Sequence, residues 1–187
     1  VEEQFYIAFP LLLFLLRRLE ARKLAWVIAL AALGSFLLSE LAASRFALAN
    51  FYLAPTRAWE LLAGSLCACL GRKEGYRQAA WLGWLGLGAI VLAIFLLDGT
   101  YPFPSHWALL PVGGTMLLIL FAQGQSGAGR VLAMRPMVGI GLVSYSLYLW
   151  HQPVFAFARL ASNAALPRPV MLGLAALSLV LAVLSWR

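Results

Sequence analysis

Three stretches of this sequence place ionisable or hydroxyl side chains in or beside apolar runs, where charge is costly and therefore marks candidate functional residues. The first stretch, residues 1–6, reads VEEQFY. In a helix, Glu2 and Tyr6 lie on one face, so a carboxylate and a phenol can reach a common cavity. The alternative is that the acidic residues only stabilise a helix N-terminus beside headgroup water.

The second stretch, residues 55–64, contains Arg57 and Glu60 three positions apart, a spacing that allows an ion pair on one helix face. Gly64 follows Glu60 by four positions and clears space on the same face for a neighbouring helix or a ligand. The alternative is a local ion pair that neutralises both charges at the membrane interface. Pro55 and Thr56 are typical of a helix start.

The third stretch, residues 141–153, contains Ser144, Tyr148 and His151, spaced four and then three positions apart. This spacing predicts a polar stripe along one face of an otherwise apolar helix. Pro153 cannot donate to the carbonyl of Leu149, which predicts a kink and a free acceptor beside His151. The alternative is a hydrogen-bonded packing histidine.

A fourth, weaker group of residues near the fifth predicted helix is assigned no chemical role. Helix kinking and close packing account for Pro111, Gly113 and Gly114, and a hydrated loop accounts for Asp98 and His106. With two histidines in the chain, no metal site is expected.

The two cysteines predict neither a disulfide nor a metal ligand pair. Cys67 and Cys69 lie two positions apart in a helical run and therefore face away from each other. We interpret them as small apolar packing residues.

The elements that position these residues are predicted to be membrane helices. The 187 residues are 63% apolar and 11% charged, whereas a soluble domain has roughly 45–50% apolar and about 25% charged residues. A core this small cannot hide so many apolar side chains, so lipid must cover many of them. The composition predicts an all-α, polytopic transmembrane helix bundle in a lipid bilayer.

Apolar runs predict about seven helices, and a membrane span needs about 20 residues, fewer where the bilayer is locally thin. The predicted helices are 1–16, 24–43, 57–71, 79–97, 107–122, 138–158 and 170–186. The first and third are short and carry acidic residues near their starts.

The net charge of +7 comes from Lys and Arg residues grouped between the apolar runs. This pattern is typical of membrane topology and not of nucleic-acid binding. It predicts that the connections near 17–23, 72–78 and 124–136 face the cytoplasm.

With this topology, four ionisable residues on three helices fall in the outer half of the bilayer: Glu2, Arg57, Glu60 and His151. This common depth predicts that they line one shared polar cavity.

The three stretches resemble motifs of the acyltransferase-3 family, integral-membrane O-acyltransferases of bacterial surface polysaccharides and related glycans. The opening VEEQFY resembles S-[VI]-E-x-Q-F-Y, RAWELLAG at 57–64 is similar to R-x-x-E-x-x-x-G, and SYSLYLWH at 144–151 is similar to S-Y-x-x-Y-L-x-H. Because the motifs occur in the family's order, residues 1–187 resemble a partial acyltransferase-3 membrane domain.

The resemblance also implies truncation at both ends. The family has about ten helices, and its first helices carry an Arg/Lys-x10-His motif that would precede Val1. Ser185, Trp186 and Arg187 resemble the point at which family members continue into a Glu-x-Pro segment. We therefore expect residues 1–187 alone to be inactive.

The resemblance implies transfer of an acyl group, most often acetyl from acetyl-CoA, to a sugar hydroxyl of a cell-surface or exported glycan, such as lipopolysaccharide. Acyl-CoA, the glycan acceptor and the bilayer are the expected partners, with no bound cofactor. Glu2 and His151 would be catalytic acid/base or positioning groups. The implied substrate-binding residues are Arg57, Glu60, Tyr6, Ser144 and Tyr148.

Two other classes stay open. In a transporter or flippase component for a glycan or lipid-linked substrate, the same ions would line a path and no acyl-CoA would be consumed. The third class is a purely structural membrane subunit. The family's usual biology favours a multi-pass protein of the bacterial inner membrane.

Overall fold

A computed structural model describes residues 1–70, 79–97, 103–122, 127–162 and 167–186, without the side chain of Glu2. Every regular element in these ranges is helical. The chain divides into two units, Val1–Arg130 and Val131–Arg187. The predicted all-α class is confirmed.

All seven predicted helices are present within a few residues of the expected bounds. The helices are α1 (Glu2–Leu15), α2 (Ala21–Ala43), α3 (Ala47–Tyr52), α4 (Ala54–Leu70), α5 (Trp81–Leu96), α6 (Leu109–Phe121), α7 (Gly127–Leu132), α8 (Arg135–Ala161) and α9 (Arg168–Ser185). The short helices α3 and α7, and a 3₁₀ turn at His106–Ala108, were not predicted. The basic connection 72–78, Asp98 and Arg187 lie outside the described residues.

Two of the described helices, α2 and α9, are long and apolar enough to cross a membrane by length and composition. Only 17% and 11% of their most apolar windows are buried, whereas the core helix of a soluble protein is mostly buried. Shorter apolar helices occur at Glu3–Leu15, Trp81–Leu96 and His106–Phe121. These features agree with a helical membrane bundle, and the number of crossings stays a prediction.

In the first unit, α2 packs against one face of α4. The buried α4 residues recur at three- and four-residue spacing: Thr56, Trp59, Leu62, Ala63 and Cys67. Ser35 on α2 donates its hydroxyl to the carbonyl of Pro55 at 2.7 Å and accepts the amide of Trp59 at 3.0 Å. One hydroxyl thus bridges a carbonyl and an amide four residues apart in α4. Cys67 is buried and Cys69 is exposed, both as free thiols, so they face apart as predicted.

Helices α5 and α6 pack closely where Gly86 of α5 faces Gly114 of α6. A Cβ added to Gly86 would lie 2.6 Å from the carbonyl oxygen of Gly114, and a Cβ on Gly114 would lie 2.8 Å from that of Gly86. Small residues allow backbones of membrane helices to pack this closely. This contact confirms the close-packing interpretation of Gly114.

A buried polar cluster links α2, α3 and the segment before α6. Asn50 is 1% exposed, and its Nδ2 donates to the carbonyls of Ser39 at 3.2 Å and Pro104 at 2.9 Å. The Ser39 hydroxyl also donates to Pro104 at 3.2 Å, and the Thr56 hydroxyl lies 2.8 Å from the carbonyl of Asn50. These bonds hold the segment before α6 against α2 and α3, and they tie α3 to the start of α4.

The second unit is the helix pair α8 and α9. Ser178 and Ala182 are buried on α9, and the indole Nε1 of Trp150 donates to the Ser185 hydroxyl at 2.9 Å. Helix α8 continues past Pro153 to Ala161. The kink expected at Pro153 stays a prediction.

Candidate functional site

The predicted ion pair on α4 is present. Arg57 donates from Nε to Oε1 of Glu60 at 3.3 Å and from Nη2 to Oε2 at 2.9 Å. The side chains are 23% and 18% exposed, so water screens the pair only in part. A two-bond guanidinium–carboxylate contact fixes orientation as well as charge.

Two aromatic rings from outside α4 flank the guanidinium. The Cζ atom of Arg57 lies 5.3 Å from the ring centre of Phe51 and 5.6 Å from that of Phe103. Distances below about 6 Å are within the range of cation–π attraction. The cation is therefore held by Glu60 and by two ring contacts.

Glu60 lies on the wall of a cavity of about 280 Å³ between α4 and the α6 region. The lining residues are Glu60, Gly64, Phe103, Ala108, Pro111, Val112, Thr115, Met116 and Ile119. A Cβ added to Gly64 would meet no atom within 4 Å. No described residue packs closely against Gly64, so whether its open space serves a neighbouring helix or a ligand stays a prediction.

Gln4 joins the first motif to the second. Its Oε1 accepts the backbone amide of Ala54 at 3.0 Å. This amide is one of the donors that a helix N-terminus leaves without an intrahelical partner. Helix α1 is thus tied to the start of α4, three positions before Arg57. Gln4 belongs to the first motif, but its sequence position predicted no role for it.

A contact between Glu40 and His106 was also missed. One carboxylate oxygen of Glu40 accepts the backbone amide of His106, and the other lies 3.2 Å from its Nδ1. The His106 side chain is 55% exposed, which agrees with a hydrated position. The contact links the end of α2 to the segment before α6.

The remaining residues of the first motif are less constrained. Tyr6 is 68% exposed on α1. The side chain of Glu2 lies outside the described part, so its approach to Tyr6 stays a prediction.

In the second unit, the polar stripe on α8 is partly reproduced. The rings of Tyr148 and His151 are neighbours, with centroids 5.7 Å apart. The Ser144 hydroxyl donates to the carbonyl of Gly141 at 2.7 Å, within its own helix. His151 is half-buried, whereas Tyr148 and Ser144 are exposed.

The imidazole of His151 has a defined hydrogen bond. Its Nδ1 lies 3.2 Å from the carbonyl oxygen of Leu147. A carbonyl only accepts, so this contact places the proton of the neutral ring on Nδ1 and the lone pair on Nε2. The ring can therefore act as a base through Nε2.

A larger cavity of about 690 Å³ lies on the neighbouring face of α8. Its lining residues are Tyr145, Ser146, Leu149, Trp150, Pro153, Ser185 and Trp186. This set contains none of Ser144, Tyr148 and His151. Arg57 and Glu60 belong to the other unit, so the shared cavity expected for them with Glu2 and His151 stays a prediction.

Comparisons with known proteins agree with the motifs. The acyltransferase-3 family, described as an acyltransferase domain, matches residues 1–187. The chain is 26% identical over 172 residues to the O-acetyltransferase OatA of Staphylococcus aureus, covering 84% of the chain and 28% of the relative. It is 30% identical over 179 residues to the putative peptidoglycan O-acetyltransferase YrhL of Bacillus subtilis, covering 84% of the chain and 27% of the relative.

A third relative is the putative membrane-bound transacylase BcsY of Komagataeibacter xylinus, 28% identical over 131 residues, with 70% of the chain and 33% of the relative covered. The chain thus spans a third or less of the length of these curated relatives. No solved structure matches the chain.

Apolar helices with a half-buried ion pair on a cavity wall define a helical membrane protein with a candidate ligand site. The chain belongs to the acyltransferase-3 family.

Proposed function

We propose that this chain is part of a membrane O-acyltransferase that moves an acyl group, acetyl in the simplest case, from acyl-CoA to a sugar hydroxyl of a cell-surface or exported glycan. Family membership supports the reaction class. The names of three relatives, two O-acetyltransferases and a transacylase, support acyl transfer over the transporter alternative. The name of the Bacillus relative makes peptidoglycan the first acceptor to test.

The observation that carries the proposal is the Arg57–Glu60 pair on the wall of an apolar cavity. In acyl transfer, the hydroxyl oxygen attacks the thioester carbonyl, the C–S bond breaks, and negative charge develops on the carbonyl oxygen. Donors held in place at that oxygen stabilise the transition state. An arginine has five N–H donors, and Glu60 engages two of them. The others are available to a carbonyl or phosphate oxygen.

The hydroxyl proton must pass to a base, and the CoA thiolate must gain a proton. We assign Glu2 and His151 to acid/base or positioning roles and Tyr6, Ser144 and Tyr148 to substrate binding. The lone pair that the Leu147 contact leaves on Nε2 of His151 supports its assignment. These roles apply to the whole protein, of which the two units are a part.

We also propose a multi-pass location in the bacterial inner membrane. The exposed apolar helices support contact with lipid. Basic residues grouped in alternate connections support the predicted orientation.

The test uses the protein at its full natural length in membrane vesicles, supplied with labelled acetyl-CoA and purified peptidoglycan or polysaccharide. We expect base-labile label on the glycan, and we expect Arg57→Ala to remove it. Arg45→Ala, at an exposed arginine outside the site, is the matched control. Glycan movement across the vesicle membrane without acetyl-CoA consumption would support a transporter and reject the proposal.

A further inference from the structure

We propose that the cavity between α4 and the α6 region binds the acyl chain of the donor and that Gly64 sets the longest chain accepted. This inference rests on the proposed acyl-transfer function and adds a binding site and a residue that determines specificity.

The size of the cavity limits its occupant. Its volume of about 280 Å³ lies just below the roughly 300–1,000 Å³ typical of small-molecule pockets. A whole acyl-CoA or a glycan segment does not fit such a space. A short acyl chain does, with room beyond an acetyl group.

The polarity of the wall also limits the occupant. Of the lining residues, only Glu60 and Thr115 carry polar side chains. Glu60 accepts two hydrogen bonds from Arg57, and the Thr115 hydroxyl donates to the carbonyl of Pro111 at 2.8 Å. A sugar would bury hydroxyls with few partners here, at a cost of about 1–3 kcal/mol for each unpaired group. An apolar chain has no such cost.

The charge beside the cavity indicates which end of the acyl group lies there. Arg57 contacts two of the lining residues, Glu60 through hydrogen bonds and Phe103 through its ring. Its guanidinium is complementary to a thioester carbonyl or a CoA phosphate. A donor with its chain inside and its carbonyl toward Arg57 satisfies both the apolar wall and the cation.

Gly64 controls the free space in this arrangement. It lines the cavity, and an added Cβ would meet nothing within 4 Å. A side chain at this position would therefore begin in open space beside the cavity and take up part of its volume. Met116 on α6 also lines the cavity, and shortening its side chain would enlarge the space.

The experiment measures kcat/KM for acetyl-, propionyl- and butyryl-CoA in three full-length proteins. These are the parent protein and its Gly64→Leu and Met116→Ala variants. One methylene in an apolar pocket changes discrimination about 10- to 200-fold. We expect Gly64→Leu to lower the butyryl-to-acetyl ratio at least about tenfold and Met116→Ala to raise it. A ratio within one variant does not depend on how much of that variant folds.

Gly88→Leu is the matched control, because Gly88 is exposed on α5, has no atom within 4 Å of an added Cβ, and does not line the cavity. Its donor ratio should equal that of the parent protein. Active Gly64→Leu and Met116→Ala variants with the parent ratio would overturn the acyl site and point to a bilayer lipid chain in the cavity. No transfer from any donor by the parent protein would overturn the proposed function, and the acyl site with it.

Discussion

The side-chain oxygen of Gln4 accepts the backbone amide of Ala54 at 3.0 Å, so a residue of α1 caps the first turn of α4. Helix caps are usually supplied by the residue just before the helix. Here the acceptor comes from 50 positions away in sequence. The consequence is that α1 helps to set the start of the helix that presents Arg57 and Glu60.

We expect Gln4→Met, which keeps the chain length and removes the acceptor, to destabilise the protein by about 0.5–2 kcal/mol, the usual effect of losing a cap. Gln4→Glu should retain most of the stability, because a carboxylate also accepts the amide and is favourable at a helix N-terminus. Thermal unfolding in detergent measures both changes, with Glu3→Ala as the control at an exposed neighbour. Equal changes in Tm for Gln4→Met and Gln4→Glu would show that the hydrogen bond to Ala54 does not stabilise the protein.

The ion pair on α4 should behave as one unit. Removing one partner leaves a half-buried charge uncompensated. We expect Arg57→Ala and Glu60→Gln each to abolish acyl transfer, and the double variant to lose little more than either one. If the two losses multiply independently, the residues do not act as a pair.

The pair at Glu20 and Lys23 is the matched control for stability. It has the same three-residue spacing and an N–O distance of 3.4 Å, and the side chains of Lys23 and Glu20 are 65% and 75% exposed, respectively. A double-mutant cycle on unfolding should give a larger coupling energy for Arg57 and Glu60 than for this exposed pair, for which about 0.2–1 kcal/mol is usual. Equal coupling energies for the two pairs would show that the Arg57–Glu60 pair is an ordinary contact at the membrane interface.

Contacts within one helix were predictable from the sequence, because the helical repeat fixes which side chains are neighbours. The pairing of Arg57 with Glu60 and the proximity of Tyr148 to His151 follow from spacings of three. The long helices were predictable because a continuous apolar run of sufficient length has few other stable forms in lipid.

Contacts between helices were not predictable, because hydropathy does not specify which helices are neighbours. The bonds of Gln4 to Ala54, Glu40 to His106 and Asn50 to Pro104 each join residues more than 45 positions apart. Helices α3 and α7 have six residues each, too few for a hydrophobic period to be recognised. Functional roles for Gln4 and Phe103 could be inferred only once α1, α4 and the segment before α6 were placed.

The approach of α5 to α6 depends on Gly86 and Gly114. We expect Gly86→Ala to destabilise the protein by about 1–3 kcal/mol, because the added methyl group overlaps the backbone of Gly114. Gly88→Ala on the same helix meets open space and should be neutral or stabilising by up to about 1 kcal/mol. Thermal unfolding in detergent separates the two variants, and equal shifts in Tm would contradict the close contact.

The basic connections predict the orientation of the chain. In a background with Cys67→Ala and Cys69→Ala, a cysteine at Glu20 or Glu74 should react with an impermeant maleimide only after permeabilisation. A cysteine at Arg45 should react in intact cells. Labelling of positions 20 and 74 from outside would reverse the assigned sidedness.

His151 provides the sharpest test of the chemistry in the second unit. Its Nδ1 proton is held by the carbonyl of Leu147, which leaves Nε2 as the basic atom. A general base contributes roughly 10²–10⁴-fold to a rate, so His151→Ala in the full-length protein should lower kcat by that factor.

His151→Gln should be equally impaired, because its amide can form hydrogen bonds and cannot take up the hydroxyl proton. Gln152→Ala, at the exposed next residue, should retain full activity and the same membrane content. If His151→Gln is nearly as active as the parent protein while His151→Ala is not, the imidazole serves as a hydrogen-bonding packing group, and the base must lie elsewhere in the protein.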